Sequence, residues 1–353
     1  MRIIRQYVAQ SVIGAIAIVL AVIVSLDLIS VLVDELDKIS AAYDMVEVLI
    51  YTALSVPSSV YDYLPLACLV GCLIGLGMLA NTSELTVIRA AGVTVRQLIW
   101  LVMRPILFYI AFGVFLGEYI TPTFDQYAES RKAIALGHRS ALQGQRGVWN
   151  RENNQFMHFS AVLPNGKLYG ITRLQFDESG RMVSSAYVES AIFQGSSWFE
   201  RNGVGTEIQR DSTSRFVFPA RSWFSDISPK LLDVLVLPPD DLPMQRLYSY
   251  ADYMEKQGQD AKEYRLAFWQ KALQPLATLS LVMIAISFIF GPLRQVTVGF
   301  RIFTGVIVGI VFRTSQDLLG PSSLIFGFSP LIAVLVPILV CTLLGLLLLR
   351  RSA

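Results

Sequence analysis

The residues with the most capacity for chemistry in this sequence are charged side chains set against long apolar runs. Asn81, Glu84, Leu85, Ile88, Arg89 and Gly92 lie together in NTSELTVIRAAGVTVRQ, residues 81–97. Asn81 and Glu84 have the spacing of a capping box, Leu85 and Ile88 share a helical face, and Gly92 is placed to end a helix in a left-handed cap. A short helix over 81–92 is predicted, apolar on one side, which serves either as an interfacial connector or as a docking element. Lys38, Arg131 and Lys132 put cations just beyond apolar sequence. Such cations bind the phosphates of an anionic lipid or simply anchor helices at the interface. Asp27, Arg313 and Asp317 stand within or at the edge of apolar runs, where a charge faces a bundle interior, a cavity or a partner subunit. Arg313 and Asp317 are spaced to pair on one helix face near the outer end of their run, whereas Asp27 has no evident partner in the chain.

Constellations for bond making are absent from the sequence. The Gly166-Lys167 pair in PNGKLYG lacks Walker A spacing, there is no HExxH or GxSxG, and His138 and His158 have no companion ligands. Cys68 and Cys72 sit one helical turn apart without further donors, and with Cys341 they read as small packing residues. No basic groove interleaved with aromatics suggests nucleic acid. The expectation is a protein that is not an enzyme and carries no metal or cofactor.

The elements that position these residues follow from composition. Of 353 residues, 54% are hydrophobic and 16% charged, a balance that points to lipid as the solvent. Apolar segments near 8–33, 54–80, 98–120, 267–290, 298–319 and 329–349 are each long enough to cross a bilayer. The first has a basic start but no small-residue cleavage site, so it is read as a retained helix. Arginines crowd the termini, the 81–104 region and the 291–301 loop, whereas Asp34, Glu35, Asp37, Asp44 and Glu47 fill the first outer loop. This bias places both termini and the 81–97 segment in the cytoplasm.

Residues 122–266 have another texture. QFMHFSAVL, KLYGITRLQFD, MVSSAYVESAIF and SRFVFPARSWF alternate with the turn signals PNG, DESG, ERNG and DSTS. Antiparallel strands follow, arranged as a small sandwich, jelly roll or barrel-like sheet. Residues 122–136 continue the third span outward as a helix, and Asp260 and Glu263 are spaced as a capping box for the fourth. The organisation expected is 1–121 with three spans and the 81–92 helix, 122–266 as the β domain with helical connections, and 267–353 with three more spans.

LSVPSSVYDYLPLACLVGCLIGLGMLANTSELTVIRAAGVTVRQ, with SFIFGPLR after the fourth span, resembles the signature of the LptF/LptG family of lipopolysaccharide export permeases. LGMLANTSEL and KQGQDAKEYRLAFWQK are more similar to its LptG branch than to LptF. The resemblance implies an α-helical membrane protein with six transmembrane helices and an inserted periplasmic antiparallel β domain, jelly-roll-like, in a Gram-negative inner membrane. It implies an LptF-like partner, an LptB-like ATPase dimer that holds the ATP and Mg, an LptC-like single-helix protein, and a β bridge to LptA. Glu84, Leu85, Ile88, Arg89 and Gly92 then belong to the helix that couples to the ATPase. Val31, Leu32, Lys38, Arg131, Lys132 and Phe159 become candidate lipid contacts, Lys132 at a position where the family tends to be basic. Where some relatives place a lysine on the first span, this chain has Ser30-Val31-Leu32, so a phosphate contact there is in doubt. The apolar alternation of Phe156, Phe159, Leu174 and Phe176 suits acyl chains and suits a β core equally. A different class of function, mechanical transmission across the membrane without lipid transport, needs the same helix and no lipid cavity.

Overall fold

Runs of Ile, Leu, Val and Ala supply no side-chain group that competes with backbone hydrogen bonding, and in a computed structural model of the protein they form long helices. The structure describes residues 2–39, 43–140, 148–152, 154–162, 167–195, 197–225, 238–256, 260–290 and 296–352. The helices are α1 (Arg2–Leu36), α2 (Met45–Leu54), α3 (Val56–Asn81), α4 (Glu84–Ala90), α5 (Val95–Phe115), α6 (Thr121–Ser140), α7 (Met244–Lys256), α8 (Lys262–Phe290), α9 (Val298–Phe326) and α10 (Pro330–Ser352). A π turn, Leu116–Ile120, joins α5 to α6, so the third span continues outward as a helix. Among the described residues six helical stretches are long and apolar enough to cross a membrane: Gln6–Leu36, Val56–Asn81, Gln97–Leu136, Lys262–Phe290, Val298–Phe326 and Pro330–Arg350.

Two compact units result. The first comprises Met1–Ile29, Val56–Thr121 and Pro243–Ala353, the second Ser30–Ser55 and Pro122–Leu242. The boundary after Thr121 is the one expected from composition, whereas residues 30–55 join the sheet's unit and the second boundary falls after Leu242 and not after 266. Glu118 accepts a hydrogen bond from the Met244 amide at 2.9 Å, which binds α7 to the helical unit. Ion pairs from Glu35 to Lys132 and from Glu47 to Arg131 bind residues 30–55 to α6. Helix α2 occupies part of what reads in sequence as the first outer loop; Asp44 caps it by accepting from the amides of Val46 and Glu47.

In the helical unit α3 and α8 are the most enclosed spans. Their core is Leu64, Cys68, Leu69, Cys72, Leu73 and Leu76 against Leu281, Val282, Ala285, Ile286 and Ile289. Without a hydrophobic driving force between spans, close packing depends on small residues. Gly71 and Gly75 of α3 admit the backbone of α1 at Ile16 and Val12, and Gly305 and Gly309 of α9 admit Leu73 and Leu66.

The second unit contains the expected antiparallel β structure. Strands β1 (Val148–Glu152), β2 (Gln155–Val162), β3 (Lys167–Phe176), β4 (Met182–Phe193), β5 (Trp198–Ile208) and β6 (Thr213–Trp223) form one sheet in chain order. Its core is Met157, Phe159, Leu168, Ile171, Val188, Ala191, Trp198 and Trp223. Simple alternation does not produce this set. The buried side advances by three residues from Leu168 to Ile171, from Val188 to Ala191 and, with Glu200, from Glu200 to Gly203. Each step brackets an interruption of the ladder: the pairings 160 with 170, 170 with 189, 189 with 202 and 202 with 219 are all missing, with the register unchanged on either side of each gap and one separate shift between Gln175 and Phe176 at the end of β3. These positions form a transverse crease. Gly170 (φ 60) and Asn202 (φ 55) adopt left-handed backbone on it, and Pro219 has no amide to donate. Side chains stitch the gap, Ser160 donating to the Gly170 carbonyl at 3.0 Å and Asn202 to Glu189 at 2.7 Å.

The crease puts Arg173 and Glu200 on one face, where strict alternation would separate them. They form a buried pair with Nη2 to Oε2 of 3.0 Å, and Arg221 approaches the same carboxylate at 3.4 Å. Burial pushes Glu200 above its usual carboxyl value, opposed by both guanidinium groups.

Candidate functional site

The 81–97 segment forms a helix with a start different from the one predicted. The apolar run of α3 carries helical backbone through Asn81, so Asn81 closes that span and does not cap α4. The turn falls at Thr82 and Ser83. Ser83 has φ 60, and its carbonyl accepts from the amides of Thr86 and Val87 at 3.0 and 3.1 Å. Glu84 is then the acid in the first turn, favourable beside unpaired amides. Leu85 and Ile88 share a face as predicted, but that face is buried in the helical core. Val87, 66% exposed, is the apolar residue presented outward. Gly92 has the left-handed conformation expected of it, φ 89. Arg89 lies in α4, and its side chain is outside the described set. Thr94 and Gln97 complete the capping box that starts α5.

The candidate cations are all engaged by acids. Lys132 donates to Glu35 Oε1 at 2.6 Å, with side chains 6% and 4% exposed. Lys38 reaches the same oxygen at 2.5 Å and the Tyr43 hydroxyl donates to Oε2 at 3.0 Å. Arg131 holds Glu47 with both edges, Nε to Oε2 at 2.7 Å and Nη2 to Oε1 at 2.8 Å. Tyr51 donates to Glu129 at 2.6 Å, and the Lys132 ammonium lies 4.1 Å from the Tyr51 ring centroid. The bond from Arg131 holds Glu47 below the usual carboxylate range. Burial, then the neighbouring carboxylates, push the Tyr43 and Tyr51 phenols up. Lys38, Arg131 and Lys132 thus face Glu35, Glu47 and Glu129, and formal charge within the cluster cancels. The crevice beside Arg131 and Lys132 has no enclosed room even for a water molecule, so a phosphate reaches these cations only by displacing carboxylates.

The charges at membrane depth have partners. Asp27 accepts from Ser59 at 2.6 Å and from Tyr63 at 2.8 Å. This corrects the reading of Asp27 as partnerless: both donors lie on α3, more than thirty positions away in sequence. Arg313 and Asp317 pair at 3.5 Å as their spacing predicts, with side chains 58% and 61% exposed. Because α9 runs on to Phe326, the pair lies at the middle of that helix and not near its outer end. Val31 and Leu32 are half-buried on α1, and Phe159, 1% exposed, packs in the sheet's own core.

A family model described as lipopolysaccharide export system permease LptF/LptG matches residues 6–351. The chain belongs to the LptF/LptG family. A protein of Escherichia coli (strain K12) named lipopolysaccharide export system permease protein LptG is 34% identical over 352 residues, covering 99% of this chain and 98% of that protein. The protein of the same name from Haemophilus influenzae (strain ATCC 51907 / DSM 11121 / KW20 / Rd) is 30% identical over 335 residues, 94% of each chain. As an LptF/LptG family member the chain is a multi-pass membrane protein, consistent with its six apolar helices and its antiparallel sheet.

For this LptF/LptG permease, sequence reasoning missed the residues that organise the candidate ones. Glu35 and Glu47 read only as acids of an outer loop, although Lys132 and Arg131 are aimed at them. T-x-x-Q at Thr94 to Gln97 was a legible capping signal within the quoted segment. Buried Arg301 had no signal beyond its place at the start of an apolar run.

Proposed function

We propose that this chain is one permease subunit of an exporter that withdraws lipopolysaccharide from the inner membrane, driven by a separate ATPase. The observation that carries the reading is α4. A seven-residue helix between two spans keeps Leu85 and Ile88 in the helical core while turning Val87 outward, with Glu84 in its first turn. A helix anchored from within and open on its other side is suited to receive a push and pass it into the bundle. In this reading α4 and both termini are cytoplasmic and the sheet is periplasmic, in keeping with the arginine bias of the sequence. An LptF-like subunit completes the cavity, an LptB-like dimer supplies ATP hydrolysis, and an LptC-like protein receives the lipid.

The cluster of Lys38, Arg131 and Lys132 supplies the headgroup contact. Its carboxylates keep the cations compensated while no lipid is bound, and phosphate exchanges for them on entry. ATP binding closes the ATPases, tilts α4, narrows the cavity and expels the lipid toward the sheet.

The test is photocrosslinking in membranes that contain the assembled complex, with probes at positions 31, 132 and 216. Adducts with lipopolysaccharide at 31 and 132 that fade on ATP addition, while 216 gains, are the expected result. An ATP-hydrolysing complex that yields no lipid adduct at any of the three overturns the exporter reading in favour of mechanical transmission alone.

A further inference from the structure

Arg301 is fully buried, among the largest side chains with no exposure in the molecule. It sits in the first turn of α9, a position where a cation opposes the helix dipole and gains nothing locally. Its Nη1 donates to the Gly77 carbonyl of α3 at 2.7 Å. Gly77 belongs to the last turns of α3, directly before the turn that leads into α4. There the guanidinium meets the carbonyl-rich end of a helix, the end that favours positive charge. A Cβ at 77 would lie 2.7 Å from Nη1 and 3.1 Å from Cδ of Arg301, so a side chain there forces the guanidinium to shift from its place.

The position has a geometric logic along α9. Arg301, Gly305 and Gly309 recur every fourth residue and all face α3, the two glycines receiving Leu73 and Leu66. The stripe is a sliding surface of small residues with one polar bolt at the α4 end. Burying a guanidinium is costly, and a leucine or methionine would fill that volume without the cost. An arginine there gives direction and attachment that apolar packing does not.

We propose that Arg301 is a positioning residue that fastens α9 to the α4 end of α3, so that a displacement of α4 is carried into α9 and its outward-facing Arg313–Asp317 pair. This rests on the reading of α4 as the element that receives force. The test uses the full complex with its partner permease and ATPase, carrying Arg301→Met, Arg301→Lys, Gly77→Ala and the double change Gly77→Ala/Arg301→Lys. Spin labels at exposed Val87 of α4 and Ile310 of α9 report their separation with and without nucleotide. In the wild type the separation holds constant through the cycle, and in Arg301→Met and Gly77→Ala it changes with nucleotide. Lipid released per ATP hydrolysed falls about fivefold or more in those two, the lower end of typical coupling between sites, with ATPase activity retained. Lysine at 301 recovers part of the ratio, and the double change recovers more than Gly77→Ala alone because the slimmer head leaves room for the methyl. A general packing defect would show neither recovery. Constant separation and an unchanged release ratio in both Arg301→Met and Gly77→Ala overturn the proposal. If the wild type releases no lipid, the exporter reading fails, while the separation measurement still decides the role of Arg301.

Discussion

Replacing Lys132 by Met should weaken the second unit far more than loss of one surface ion pair. Lys132 and Glu35 are 6% and 4% exposed at the side chain and 2.6 Å apart, so neither charge is hydrated when its partner is removed. Truncating one member of a buried pair costs about 3–5 kcal/mol, because the other charge is left uncompensated. Lys38 remains 2.5 Å from the same oxygen and is 33% exposed, which places Lys132→Met at the lower end, about 3 kcal/mol. For a domain of this size that is a fall of about 6–12 °C in Tm. Glu35→Gln alone leaves two ammonium groups without their carboxylate and is similarly costly. The double change Glu35→Gln/Lys132→Met removes both charges, and its deficit should be smaller than the sum by about 2–3 kcal/mol. The assay is thermal unfolding of the purified protein in detergent, with hydrogen exchange at α2 and α6 to locate the change. Single-variant losses that add to within about 0.5 kcal/mol would mean that the two charges do not depend on each other, and the compensated-cluster argument would be wrong.

Arg173→Met should cost a similar about 3–5 kcal/mol by stranding Glu200 in the sheet core, read as loss of β signal on heating. Burial raises Glu200, so its contribution is fully present below the unfolded carboxyl value of about 4.3 and is lost as pH rises through the folded value. The deficit of Arg173→Met should therefore shrink on acidification, and a pH-independent deficit would contradict this. Asp177, in the turn between β3 and β4, accepts from Ser179 and Arg181 and is held down to about 2. That stability is present above about pH 3.9 and lost as pH falls through 2, so Asp177→Asn should differ from wild type at neutral pH and converge with it in strong acid. Tyr63→Phe removes one of two donors to Asp27 and should destabilise the helical unit by about 1–2 kcal/mol, measured by thermal unfolding in nanodiscs.

The spans were legible because hydrophobicity over the width of a bilayer is a one-dimensional property. The strands were legible for a related reason, since turn signals and alternation are local. What sequence could not supply are relations between distant positions. Lys132 finds Glu35 across 97 residues, and Asp27 finds Ser59 and Tyr63 on another helix. The Asn81 cap failed because the apolar momentum of α3 outlasted a residue that is only an optional stop signal. Leu85 and Ile88 were correctly grouped on a face, but amphipathicity does not say whether the apolar face turns toward the chain itself or a partner. The crease stayed hidden because Gly170, Asn202 and Pro219 look like unrelated interruptions until the registers of β3, β5 and β6 align them.

That alignment has a mechanical consequence. A β-sheet resists bending because its ladder couples every strand to the next at each pair of residues. Here the coupling lapses along one line from Ser160 to Pro219, bridged by two side-chain bonds. The sheet is therefore built as two stiff leaves with a book-spine between them. The angle between the leaves can change by rotation about the spine, with the strand register on either leaf unchanged. Such a sheet changes shape through one angle, without the cost of re-pairing any strand.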